Sequence, residues 1–225
     1  MDGLGRKGEI MYHYLEDKEF LHKMRSLSGE IMQMLCHYLK EDYGIGATFY
    51  MVGSGAKNLI LQNAEEPVDL DYNLEILKCE DYRNCRYLKE CARKTFNKVL
   101  RKYKLDDCND STTPLTSGQI YFTDGNKTPF SIDICITRRD NEGTYYRLIH
   151  KKTGWAQLDE YYWNEAPKSK QIKQKVNHIK QIGQWERVRQ QYERIKNMYL
   201  MRNDKNHPSF VCYIEAVNNV YNQFQ

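Results

Sequence analysis

A chain of 225 residues can bury a sizeable core, as one large domain or as a core with an appendage. Its composition, 40% hydrophobic and 28% charged, excludes wholesale disorder. No run of 18 apolar residues occurs, and the N-terminal MDGLGRKGEIMYHYLEDKEF lacks the apolar centre of a signal peptide. The residues therefore predict a cytosolic protein without a membrane segment.

The seven cysteines form no CxxC pair, and their number is odd. Cys79, Cys85 and Cys91 recur every six residues, a step that on a helix turns them onto different faces. Reduced thiols rather than a zinc site are expected. Net charge is +4 but unevenly placed. Residues 167–206 hold eleven Lys/Arg against three Asp/Glu, a local excess of eight that leaves −4 for the remainder. The asymmetry points to a polyanionic partner for the C-terminal third, or to a solvated face of helices.

In chain order, apolar residues from about Ile10 to Lys40 recur at near-helical spacing, predicting one long helix or two short ones broken near Ser26-Ser28-Gly29. ATFYMV reads as a buried strand that runs into the turn Gly53-Ser54-Gly55. PVDLDYNLEI is a second strand, and residues 80–104 a long charged helix. SGQIYFTDGNKTPFSIDICITRR carries two β-rich runs flanking Asp124-Gly125, a hairpin signal, and GTYYRLIHK suggests a further strand. Beyond Pro167 three apolar stripes predict helices to the end. The expected architecture is α+β: a core over 1–166 with an N-terminal helical region, then a helical subdomain over 167–225.

The glycine turn fits two familiar phosphate loops poorly. A P-loop needs GxxxxGK[ST], whereas Lys57 follows Ala56 and precedes Asn58. The GxGxxG fingerprint has Asn58 in place of its third glycine. Only nine residues, 58–66, then precede Pro67, too few for a crossover helix with its connections.

The acidic strand carries more. In VDLDYNLEI, Val68, Leu70, Tyr72, Leu74 and Ile76 alternate with Asp69, Asp71, Asn73 and Glu75. Alternation puts Asp69 and Asp71 on one face, roughly 6.6 Å apart at about 3.3 Å per residue. Adjacent carboxylates repel, so the pair implies either an amphipathic, solvated edge strand or a cation between them. Sixty residues on, FSIDICI alternates likewise and places Asp133 on a face with Ser131 and Cys135. A lone aspartate in an apolar strand is costly if buried unpaired. Beside the DxD strand, Asp133 supplies a third oxygen ligand for hard divalent ions, two of which can clamp an in-line phosphoryl displacement.

Gly53-Ser54 at a strand end, Asp69-Leu70-Asp71 on the next strand and Asp133 on a later one resemble the DNA polymerase beta-like nucleotidyltransferase superfamily. The resemblance covers roughly residues 45–140. It implies a small mixed sheet with flanking helices, followed by a helical region that closes over the nucleotide. The segment GAKNLILQNAEEPV lacks the Arg-Gly or Thr often seen after the family's Gly-Ser turn. The arrangement is also similar to that of cyclic-dinucleotide and oligoadenylate synthases, for which the chain is short.

The resemblance further implies Mg²⁺ or Mn²⁺ as cofactor. Asp69 and Asp71 would bridge both metal ions, and Asp133 would hold the catalytic one. Gly53, Ser54 and Gly55 would meet the β- and γ-phosphates of an NTP. Lys57 is a further candidate phosphate contact, or an ordinary exposed lysine. The expected reaction moves an NMP from an NTP to a hydroxyl on a small molecule, a nucleotide, an RNA end or a protein. The alternative is a non-catalytic module on a degenerate transferase fold, gripping nucleic acid or protein through residues 167–206.

Overall fold

The computed structural model describes residues 11–64, 66–166, 170–204 and 207–224. The expected division at 167 lies outside them, as do residues 1–10 and parts of the basic segment (167–169 and 205–206). In chain order the elements are β1 (Tyr12–Tyr14), α1 (Lys18–Tyr43), β2 (Gly46–Met51), a 3₁₀ turn (Gly55–Lys57), β3 (Leu61–Asn63) and β4 (Val68–Lys78). There follow α2 (Cys85–Lys102), β5 (Asn109–Asp110), β6 (Pro114–Thr116), β7 (Phe130–Arg139), β8 (Tyr145–Lys151), a second 3₁₀ turn (Ala156–Leu158) and β9 (Glu160–Glu165). Three helices complete the chain: α3 (Lys170–Gln181), α4 (Trp185–Met201) and α5 (Ser209–Tyr221). The mixed α+β class is as the sequence predicts. No helix among the described residues is long and apolar enough to cross a membrane.

The chain forms two compact units. One spans Asp17–Asn58 and Pro67–Pro167; the other gathers the described parts of Met1–Glu16, Leu59–Glu66 and Lys168–Gln225.

In the first unit a seven-stranded sheet runs in the order β2-β4-β7-β6-β5, with β8 pairing β7 and β9. β4 and β7 are parallel, while β2 is antiparallel to β4. The antiparallel pairing of β2 with β4 needs only a short connection, in keeping with the nine residues available and unlike a crossover. Leu70, Leu74, Ile132 and Ile134 are fully buried on one face of the central pair. Each such side chain contributes on the order of 1.5–3 kcal/mol. That burial fixes the strand register, because a one-residue slip would bring every aspartate into the core.

α1 is a single helix. It starts later than its periodicity suggests, because Tyr12–Tyr14 is strand and the Asp17 carboxylate caps the first turn by accepting from the Phe20 amide at 2.9 Å. Ser28 does not break it: its hydroxyl donates to the Met24 carbonyl at 2.8 Å and lies 2.8 Å from the Tyr72 hydroxyl. The hairpin expected around Asp124-Gly125 is reduced to a single bridge, Ile120 to Phe130. The longer antiparallel partner of β7 on that side is instead Pro114–Thr116.

In the second unit, α3, α4 and α5 bury Ile179, Val188, Tyr192, Ile195, Val217 and Val220 in one cluster with Leu59. Trp185 and Tyr199 pack against it, so the aromatic stripe of α4 is bundle core. β1 pairs with β3, and Asn197 on α4 brackets Tyr12 by accepting from its amide at 2.6 Å and donating to its carbonyl at 2.9 Å. Much of the basic excess is spent on rings. Lys175 lies over Tyr221, Lys180 over Trp185, Arg187 over Phe224, Arg189 over Tyr14 and Lys196 over Tyr12, all within 5.2 Å of the centroid.

Candidate active site

The parallel register of β4 and β7 sets Asp71 directly opposite Asp133, and Asp69 opposite Ser131. Along β4 the polar face deepens from exposed Asp69 through half-buried Asp71 to buried Asn73 and Glu75. The Ser131 hydroxyl donates to Asp69 Oδ1 at 2.6 Å. Asp71 meets like charge: its carboxyl is pushed up to about 6, first by burial, then by Asp133 and Asp69, with Lys57 and Arg147 opposing. Burial likewise pushes the Asp133 carboxyl up, with Thr116, its β6 partner, opposing and Asp69 adding.

The glycine turn lies against this pair. Gly53 has φ +63°, and a Cβ built there would come within 2.1 Å of Asp71 Oδ2. Only glycine accommodates both the backbone angle and the carboxylate. The Val52 amide donates to the Asp71 carbonyl at 2.8 Å, carrying the β2–β4 ladder into the turn. Gly55 is buried, with Met51 and Leu70 filling the space a side chain would need. Ser54 heads the 3₁₀ turn, and among the described residues its hydroxyl has no hydrogen-bond partner. Lys57 is half-buried rather than exposed, and donates to the Gly53 carbonyl at 2.8 Å.

Several site neighbours carry no local sequence signal. Arg25 on α1 donates to the Gly55 carbonyl at 3.1 Å and to Asn58 Oδ1 at 3.0 Å, pinning the turn from a helix some thirty residues earlier. Beyond Asp71 the same face carries Asn73, which donates to the Tyr145 hydroxyl at 2.9 Å; that hydroxyl donates to Thr137 Oγ1 at 3.0 Å and also meets Tyr50. Glu75, at the far end of the face, pairs with Arg139 at 3.1 Å.

The donor set suits a hard divalent cation in chemistry: all carboxylate oxygens, mutually repelling, with Asp133 Oδ1 buried and lacking a hydrogen-bond partner. As the side chains stand, no three His, Cys, Asp or Glu among the described residues are drawn into one metal-holding group.

A glycine-serine turn against an in-register pair of half-buried carboxylates, on a mixed sheet with flanking helices, is the arrangement expected from the resemblance to the polymerase beta-like nucleotidyltransferases. The structural neighbours of this chain are nucleotidyltransferases of the CD-NTase type within that superfamily. The cyclic AMP-GMP synthase DncV of Vibrio cholerae, solved with the linear intermediate pppA(3′,5′)pG, superposes with a TM-score of 0.64 at 10% identity, covering 92% of this chain and 69% of that one. CdnC of Escherichia coli with ATP gives 0.56 at 13% identity, covering 96% of this chain and 63% of that one. The CdnE cyclic dinucleotide synthase of Elizabethkingia meningoseptica, with GTP and Apcpp, gives 0.51 at 13% identity, covering 88% and 70%. This chain thus spans less than two thirds of the Escherichia coli structure's length. No protein-family model matches the sequence. No curated protein matches it either. At these identities the likeness establishes the fold.

Proposed function

We propose that the protein is a metal-dependent nucleotidyltransferase that moves an NMP from an NTP to a hydroxyl acceptor. The observation that carries this reading is the register of Asp71 with Asp133 over Gly53. Two half-buried carboxylates that repel each other raise the free energy of the empty site, a cost that a cation with a polyphosphate would offset. The neighbouring folds include cyclic dinucleotide synthases, which favours a second nucleotide as acceptor over an antibiotic or a protein side chain.

In this reading the acceptor oxygen attacks the α-phosphorus, a new O–P bond forms, and the bond to the β-phosphate oxygen breaks. Pyrophosphate leaves with the bonding pair, and the acceptor's proton passes to solvent. The Ser54 hydroxyl and the amides of Ser54 and Gly55 hold the β- and γ-phosphates, with Lys57 adding charge beside them. Asp69, Asp71 and Asp133 would hold Mg²⁺ or Mn²⁺, which when bound lowers the pKa of the acceptor hydroxyl and balances the charge of the phosphates. Arg25 and Gly53 keep the turn in place as the phosphates arrive.

The test is incubation with each of the four α-labelled NTPs and Mg²⁺ or Mn²⁺, alone and in pairs, following labelled product and pyrophosphate. Product that forms with the native protein and is lost in Asp133→Asn supports the reading. No product or pyrophosphate from any combination would leave the non-catalytic binding module, with polyanion contact through residues 167–206, as the better account.

A further inference from the structure

The turn after β2 engages its carbonyls and leaves its amides over. Val52 O accepts from the Ala56 amide at 3.3 Å and Ser54 O from the Lys57 amide at 3.2 Å. Gly53 O accepts from Lys57 Nζ at 2.8 Å, and Gly55 O from Arg25 at 3.1 Å. The carbonyls of residues 52–55 are thus all taken. The amides of Gly53, Ser54 and Gly55 have no acceptor among the described residues. Gly53 stands in the left-handed region at φ +63°, and Ser54 in the right-handed one at φ −68°, ψ −36°. Neighbouring residues of opposite hand turn their amides towards one concavity, a backbone nest that suits an anion.

Peptide planarity fixes what Lys57 does to that nest. In a trans peptide the C=O and N–H of one unit point in opposite directions. The ammonium on Gly53 O therefore lies behind the Gly53–Ser54 peptide, and the Ser54 N–H points to the other side. The Lys57 amide does the same for the next unit, holding Ser54 O and so aiming the Gly55 N–H. One half-buried residue orients both planes, once with its side chain and once with its main chain. The first plane needs such a hold. It is flanked by glycine, which populates either hand of φ readily, so an unheld Gly53–Ser54 peptide can rotate. Rotation would turn a carbonyl oxygen, in place of an N–H, towards an incoming phosphate.

We propose that Lys57 is a positioning residue: by holding the Gly53 carbonyl it keeps the Ser54 amide turned towards the donor's polyphosphate. It acts on the nucleotide through that peptide and not by touching a phosphate. This rests on the nucleotidyl-transfer reading above.

The test is a double-mutant cycle read by calorimetry, with Mg²⁺ and α,β-methylene ATP as donor analogue. Ser54→Pro deletes the Ser54 N–H at a φ of −68°, which proline adopts, and Ser54→Ala controls for the hydroxyl. Lys57→Met should weaken binding about tenfold or more in the wild-type and Ser54→Ala backgrounds, and Lys57→Arg should stay within about threefold of wild type. In the Ser54→Pro background Lys57→Met should cost no more than about twofold, because the amide it would misdirect is gone. The same loss in every background overturns the proposal by assigning Lys57 to the phosphates directly, and unchanged affinity in Lys57→Met overturns it outright. Should Ser54→Pro not fold, a crystal structure of Lys57→Met decides. A rotated Gly53–Ser54 peptide is expected; the wild-type orientation with weakened binding overturns the proposal. A donor analogue that binds wild type no better than Asp71→Asn removes the nucleotidyl-transfer reading itself, and this proposal with it.

Discussion

The Asp71 carboxylate lies over Gly53 so closely that a methyl group on Gly53 would come within 2.1 Å of Oδ2. The turn after β2 and the acid on β4 are therefore one structural unit. Gly53→Ala must move one or the other, and it also places a side chain at φ +63°. The strained backbone alone costs about 1–3 kcal/mol. The variant should unfold at lower urea concentration than wild type and lose its response to NTP with Mg²⁺. A Gly53→Ala protein with unchanged midpoint and response would show that the turn is not coupled to Asp71.

Asp71→Asn should make the ligand-free protein more stable at neutral pH, not less. The Asp71 carboxyl is raised to about 6 from an ordinary value of 3.8. Between those values the unfolded chain has released a proton that the folded chain retains, so stability falls as pH rises from about 4 to about 6 and stays lowered above. Asparagine removes that penalty. Urea midpoints at pH 4 and pH 8 test this: the gap between variant and wild type should open in favour of the variant at the higher pH. A variant less stable than wild type at pH 8 would contradict it.

Ligand linkage should reverse the order once the site is filled. NTP with Mg²⁺ or Mn²⁺ at 100 times the dissociation constant should stabilise wild type by about 2.7 kcal/mol. Asp71→Asn and Asp69→Asn should lose most of this gain. The absence of any thermal shift in wild type up to millimolar NTP and metal would count against the site.

Asp133→Asn separates binding from turnover. It keeps size and strand packing while removing one negative charge beside Asp71. NTP affinity should stay within about tenfold, or 1.4 kcal/mol, of wild type. Turnover should fall by several orders of magnitude, because activation of the acceptor is needed mainly in the transition state. Retained turnover in this variant would take Asp133 out of the chemistry.

The basic helices make a two-sided prediction. Lys175 donates to Asn218 at 2.7 Å and lies over Tyr221, so Lys175→Glu should lower the unfolding midpoint. Lys173 is exposed, and Lys173→Glu should leave the midpoint unchanged. If nucleic acid binds through this segment, Lys173→Glu should weaken it, and affinity should fall steeply with salt through counterion release. Filter binding at two salt concentrations reads this directly; no binding at low salt would leave the excess charge to ring packing alone.

The sequence by itself determined the local pieces. Period-two alternation put Asp69 and Asp71 on one face and Asp133 on the corresponding face of its own strand, because side chains in a strand must alternate. Nine residues between turn and proline excluded a crossover, and apolar stripes marked the C-terminal helices. Only tertiary structure decided which strands lie side by side, since pairing depends on how the buried faces of β4 and β7 pack and not on any local pattern. That pairing brought Asp71 opposite Asp133, while β2 beside β4 set Gly53 against Asp71 and α1 carried Arg25 to the turn. The same holds for the second unit, where Tyr12–Tyr14 and Leu61–Asn63 pair with each other beside helices more than a hundred residues away. Lysines and arginines that read as free charge proved to lie on aromatic rings, a contact set by helix packing, which composition does not encode.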